Sequence, residues 1–180
     1  MTVAELVAQI KTFVHDTTLP DVIVYQAIDN AIRDIESFGT FDYQRIEEDV
    51  VINANTTLVP TTYDVYKVIS VGNLDTTTYY IKKNKIYLTK APIEDMAYTV
   101  IYILKSPVFD GSDVNKLVPN DTVLLYGGAF YTCIFLNAPE APVYQQLFQK
   151  ELSKYYSENV YSVEADDDIA WYPNIDALGI

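Results

Sequence analysis

His15 is the only histidine in the chain, so it is the one side chain that could act as base in a Ser-His-Asp or Cys-His arrangement. It stands beside Asp16 at the end of a helix-patterned segment, where an imidazole suits the helix dipole. A helix-end role is therefore expected there, not catalysis. The single cysteine, Cys133, lies between Thr132 and Ile134 in an apolar helical pattern; it has no internal disulfide partner and reads as core. No Cys/His cluster has metal-ligand spacing. Gly127-Gly128 lacks the lysine and the further glycines of a phosphate loop and reads as a point of close helix packing.

Carboxylates are more plentiful, and two of them held on opposite sides of a cleft could hydrolyse a glycoside. Two runs qualify by type, Glu47-Glu48-Asp49 and Asp166-Asp167-Asp168. The first precedes a strand pattern and reads as a solvated turn. The second lies in a C-terminal arm with no scaffold to fix it, although its oxygens are of the kind that attract a divalent cation. No catalytic, cofactor-binding or metal-binding residue is assigned, and the chain is expected not to be an enzyme.

Composition narrows the partners. The net charge of −13, from 25 acids against 12 bases, opposes binding to a phosphate backbone, which needs lysines and arginines to neutralise it. At 180 residues and 49% hydrophobic the chain can bury a core of ordinary size. The opening Met1-Thr2-Val3-Ala4-Glu5 lacks a signal-peptide pattern, and no apolar run reaches the length of a membrane span. A reducing cytoplasm and no membrane are expected.

The elements that would position these residues follow from periodicity. Val3, Leu6, Val7, Ile10, Phe13 and Val14 recur at helical spacing, and Val24, Ala27, Ile28, Ala31, Ile32 and Ile35 do so after Pro20 and Asp21. Asp29 and Arg33 fall at i,i+4. Four helices are predicted, at about 2–15, 20–38, 121–137 and 143–157, the first two and the last two as hairpins, with Pro139 and Pro142 separating the last pair. Between them, about 48–105, the period changes to short runs of β-branched and aromatic residues at Val50–Asn53, Thr57–Val59, Tyr63–Val71 and Tyr98–Leu104. A β-hairpin is predicted over Tyr79–Leu88 with its turn at Lys83-Asn84. The fold class is α+β: helix hairpin, small mostly antiparallel sheet, helix hairpin, then an extended arm, with residues 1–157 as one domain.

The arm, 158–180, holds six carboxylates and no lysine or arginine, yet it also carries the only tryptophan. Solvating tails are poor in aromatics. An acidic and aromatic segment reads as one that docks, and Tyr161, Ile169, Trp171, Tyr172 and Ile175 are its expected partner-binding residues; the alternative is an extension folded over its own domain. Lys82, Lys83, Lys85 and Lys90 form one positive spot on and beside the predicted hairpin, suited to electrostatic contact between subunits or to plain protection of a strand edge. Sixteen tyrosines, more than one small core needs, also fit interfaces.

In order and flavour the chain resembles the head-to-tail adaptor (head-completion or connector) proteins of short-tailed bacteriophages. The resemblance rests on Ala27-Ile28-Asp29-Asn30-Ala31-Ile32-Arg33-Asp34-Ile35, on Val65-Tyr66-Lys67-Val68-Ile69-Ser70-Val71, and on Ile86-Tyr87-Leu88-Thr89-Lys90-Ala91-Pro92. Leu117-Val118-Pro119-Asn120-Asp121 leading into Leu124-Leu125-Tyr126-Gly127-Gly128-Ala129, then Asn137-Ala138-Pro139-Glu140, complete it over roughly residues 1–157. It implies a non-enzymatic homo-oligomeric ring, typically a dodecamer, in the neck of the virion, assembled in the host cytoplasm. Portal protein would lie above it, tail proteins below, and DNA would pass through without specific binding. Two other classes compete: a virion-associated, carboxylate-dependent cell-wall hydrolase, which needs two fixed acids in a cleft, and an acidic DNA mimic, which needs its charges on ordered faces.

Overall fold

The computed structural model of the chain describes residues 1–37, 39–112 and 118–159. They form two compact units, one from the described residues of 1–42 and 120–159 and one from those of 43–119. The first is helical, with α1 (Val3–Phe13), α2 (Asp21–Ser37), α3 (Asp121–Phe135) and α4 (Ala141–Asn159). The second holds five strands, β1 (Arg45–Ile52), β2 (Val65–Val71), β3 (Tyr79–Lys82), β4 (Lys85–Leu88) and β5 (Met96–Leu104), all paired antiparallel. The α+β class and the order of helices, strands and helices are as predicted.

Helix ends follow local chemistry. Thr2 and Glu5 exchange hydrogen bonds across the start of α1 in a capping box. At its other end His15 adopts φ +56°, its N–H donating to the Thr12 carbonyl and that of Asp16 to the Lys11 carbonyl. That is a Schellman stop. His15 is exposed, and the Asp16 carboxylate accepts from the Thr18 hydroxyl and N–H, so the lone histidine ends a helix. The same geometry closes α3, where Asn137 sits at φ +52° and Ala138 N–H reaches the Cys133 carbonyl at 2.8 Å. Pro142 does not separate two helices; it lies in the first turn of α4, where its missing N–H costs nothing. At the other end α4 takes in Glu158 and Asn159, the first two residues of the predicted arm.

Helix α3 is the hub of its unit, in contact with α1, α2 and α4. Gly127 faces Ala31 and Phe148, and Gly128 faces Ile10 and Ile28, so the glycine pair lets the neighbouring helices approach α3 closely. Arg33 pairs with Asp29 at 3.1 Å, as its spacing predicts, and also with Glu36. Cys133 is fully buried, and burial pushes its thiol pKa up.

In the second unit the strand order is β1-β5-β2, with β3-β4 as a separate two-stranded ribbon. Val50, Ile52, Val65, Val100, Tyr102 and Leu104 from the sheet share one core with Ile86 and Leu88 of the ribbon. Thr57–Val59 does not form a strand; Leu58 makes a single bridge to Tyr87. Nor is Glu47-Glu48-Asp49 a solvated turn. All three residues lie within β1, paired one by one to β5. Alternation explains this: Ile46, Glu48, Val50 and Ile52 point to the more buried side, and Glu48 is accepted there because it is satisfied. Its carboxylate receives the Tyr102 hydroxyl at 2.9 Å and the Thr62 N–H at 2.9 Å, and Tyr63 N–H donates to the Tyr102 oxygen at 3.2 Å.

Tyr131 of α3 makes the corresponding contact in the helical unit, donating to Asp34 of α2. Burial first, then the carboxylate acceptor, holds the phenol pKa of both Tyr102 and Tyr131 above the usual value of 10.0. The folded chain therefore keeps protons that the unfolded chain releases. Their contribution to stability should be complete below pH 10 and decline as the pH rises beyond it. Chemical denaturation at stepped pH, followed with tyrosinate absorbance, is expected to show that decline, and the Tyr102→Phe, Tyr131→Phe double variant is expected to flatten it. A wild-type curve that stays flat well above pH 10 would contradict this reading.

Candidate functional site

A type I′ hairpin turn needs positive φ at both central positions, and Lys83 and Asn84 supply +50° and +60°. The turn fixes the register of β3 and β4, with Tyr79 opposite Leu88 and Lys82 opposite Lys85. Ile86 and Leu88 then point into the core, and the Tyr80 and Tyr87 rings stack with centroids 5.7 Å apart. Tyr80, Ile81, Lys82 and Lys83 are exposed along β3 and the turn, and Lys90 just beyond β4. Lys85 is half-buried and engaged, pairing with Asp64 at 3.1 Å and reaching the Tyr63 carbonyl. Of the four lysines singled out in the sequence, Lys82 and Lys83 thus stand exposed at the turn end of the ribbon, and Lys90 is exposed at its other end.

On β1 the side chains that alternate with the core positions are Arg45, Glu47, Asp49 and Val51, all exposed. Glu47 lies 3.4 Å from Arg45, and Asp49 accepts from the Thr99 hydroxyl at 2.7 Å. Sequence reasoning misses this acidic strand as a surface, because a run of three acids masks the alternation of Ile46, Val50 and Ile52 around it.

The third surface lies in the helical unit. Ile134, Phe135 and Leu136 at the end of α3 and Val143 in the first turn of α4 are exposed by 47%, 43%, 39% and 57%. They crowd the end where the two helices join. Single exposed apolar residues mean little, but a group at one corner marks a contact site. A signal was present: three consecutive large apolar residues cannot all face one side of a helix.

Much of the tyrosine signal has an internal use. Tyr102 and Tyr155 are buried, Tyr144 donates to the Phe13 carbonyl at 2.8 Å, and Phe13 stacks on both Tyr126 and Tyr144. Among the described residues Tyr63, Tyr66 and Tyr80 are the exposed ones. The expected docking residues Tyr161, Ile169, Trp171, Tyr172 and Ile175, and the acids Asp166, Asp167 and Asp168, lie outside the described residues.

A shallow depression on the sheet is lined by Ser70, Gly72, Asn73, Leu74, Ala97, Tyr98, Thr99 and Ile101. It holds no carboxylate, so it offers nothing of the paired-acid cleft a glycosidase requires. Among the described residues no group of three or more His, Cys, Asp or Glu side chains could hold a metal ion, and no helix is long and apolar enough to cross a membrane.

No curated protein matches the chain. A family model does, that of the SU10 adaptor protein, over residues 1–173. The match takes in both compact units and runs past the end of the resemblance read from the sequence, through Trp171 and Tyr172. With its helical unit and inserted β unit both inside the match, the chain belongs to the SU10 adaptor protein family, the structural head-tail adaptors of short-tailed phages.

Proposed function

We propose that copies of this chain form a ring between the portal of the phage head and the tail, through which DNA passes unread. The observation that carries this reading is the extent of the family match, which spans the folded units and most of the acidic aromatic arm together. An arm matched with the body is part of the adaptor. In this reading the residues from Tyr161 to Ile175 dock on the portal, Trp171 supplies the anchor, and the exposed α3–α4 corner is a further contact. The net charge of −13 suits a conduit, since an acidic wall does not hold phosphates.

In this reading the apolar side chains of the arm bury their surface on the portal and not between copies of the free chain. Alone, the chain is expected to be monomeric or weakly associated, by light scattering. The functional test uses portal-bearing heads made without this chain. Adding the purified chain should make them competent to accept tails. Heads that accept tails equally well without it would refute the adaptor role, and release of sugars from purified cell wall would move the chain to the hydrolase class.

A further inference from the structure

Among the described residues the second unit has two strand edges of opposite charge with which no strand pairs. β5 lies between β1 and β2, so β1 is one edge of the three-stranded sheet. Its eight residues pair with β5 without a register shift, whereas β2, the other edge, has two shifts that spoil it as a template. The ribbon lies by β2: both β3 and β4 touch that strand, and Val65 N–H at its start donates to the Asn84 carbonyl in the ribbon's turn. Among the described residues β3 pairs with β4 alone, so its other side is the second edge. Among the described residues no strand pairs with it, nor with the outer side of β1.

We infer that β3 of one copy adds to the outer edge of β1 of the next, with Lys82 and Lys83 set against Glu47 and Asp49. This rests on the ring proposed above and names its contact. Edge addition supplies main-chain hydrogen bonds, and the side chains choose the partner. β3 on β3 would set lysines against lysines, and β1 on β1 would set acid against acid at Glu47, whereas the mixed pairing matches opposite signs. Because two different edges meet, the contact is head-to-tail, and repeating it gives a ring when the rotation closes. The turn adds a second sign of selection. Lys83 occupies a left-handed position that glycine or asparagine fills at less cost, so the chain accepts backbone strain to keep a cation at the tip. Exposed ion pairs stabilise little one at a time; here they direct a main-chain contact.

The test uses full-length chains on portal-bearing heads, with copies bound per head read by co-sedimentation. Variant one carries Lys82→Glu and Lys83→Glu, variant two Glu47→Lys and Asp49→Lys. Each alone should occupy heads on the order of tenfold less than wild type, since every contact becomes like-charged. An equal mixture should recover wild-type occupancy, because each variant's β3 then meets the other's β1 with opposite charge. Thermal midpoints close to wild type show that both variants fold. Unchanged occupancy of either variant, or loss without recovery in the mixture, overturns the contact; in the second case the lysines face some other acidic partner. Wild-type chain that leaves the heads bare would instead overturn the adaptor reading itself. As a separate readout, Lys83→Gly should raise the thermal midpoint and lower occupancy; if it raises both, the lysine is not retained for contact.

Discussion

Gly127→Val is expected to cost the helical unit several kcal/mol, a large share of the roughly 5–15 kcal/mol that holds a domain folded. A Cβ at this position would stand 2.6 Å from the Ala31 Cβ and 2.9 Å from a Phe148 ring carbon. Carbon atoms pack best at about 3.5–4.0 Å. Ala31 has no rotamer to change, so α2 and α3 must move apart. Even Gly127→Ala is expected to destabilise: removing a mid-helix glycine contributes about 1 kcal/mol, whereas overpacking costs about 1–3 kcal/mol. Gly128→Ala should be milder, because its closest neighbour, the Ile10 Cδ1 at 2.5 Å, is the free end of a side chain that can rotate. Urea denaturation should rank Gly127→Val as the most damaging of the three, Gly127→Ala next and Gly128→Ala least. A Gly127→Ala protein more stable than wild type would show that helix propensity, not close approach, decides this position.

What could be read in the sequence and what could not differ by the range of the interaction. The four helices were legible because their faces repeat within a few residues, and the β3–β4 turn because Lys83-Asn84 is a local signal. Gly127-Gly128 was legible as a packing point for want of the other parts of a phosphate loop. Glu48 was not, since a carboxylate on the buried side of a strand makes sense only with Tyr102, 54 residues away, in place. The insertion of β5 between β1 and β2 is likewise a long-range choice that short runs of β-branched residues do not specify. Many tyrosines read as interface residues in the sequence because their partners, such as Asp34 for Tyr131 and Phe13 for Tyr144, lie on other helices. Of the lysine spot, Lys85 belongs to Asp64, and only the fold separates it from the three exposed charges.

Removal of residues 160–180 is expected to leave both described units folded and to abolish attachment to the portal. Folding should survive because Phe148, Leu152 and Tyr155 bury the face of α4 before its end, and Phe41 stacks on Tyr155 within the same unit. Attachment should fail because the deleted segment holds all five proposed docking residues. Trp171→Ala alone should do much of the same damage, since a tryptophan anchor at an interface is worth about 2–4 kcal/mol, a factor of roughly thirty to a thousand in affinity. Circular dichroism with thermal melting checks the fold, and co-sedimentation with portal-bearing heads checks attachment. A truncated protein that unfolds makes the segment part of the chain's own core, and one that folds and still attaches removes it as the docking element.

The most direct measurement is electron microscopy of portal-bearing heads before and after addition of the full-length chain. A new ring of density is expected immediately below the portal, built from repeated copies of this chain and open along the axis for DNA. Heads that look the same with and without the chain, while the chain is folded and in excess, would contradict it.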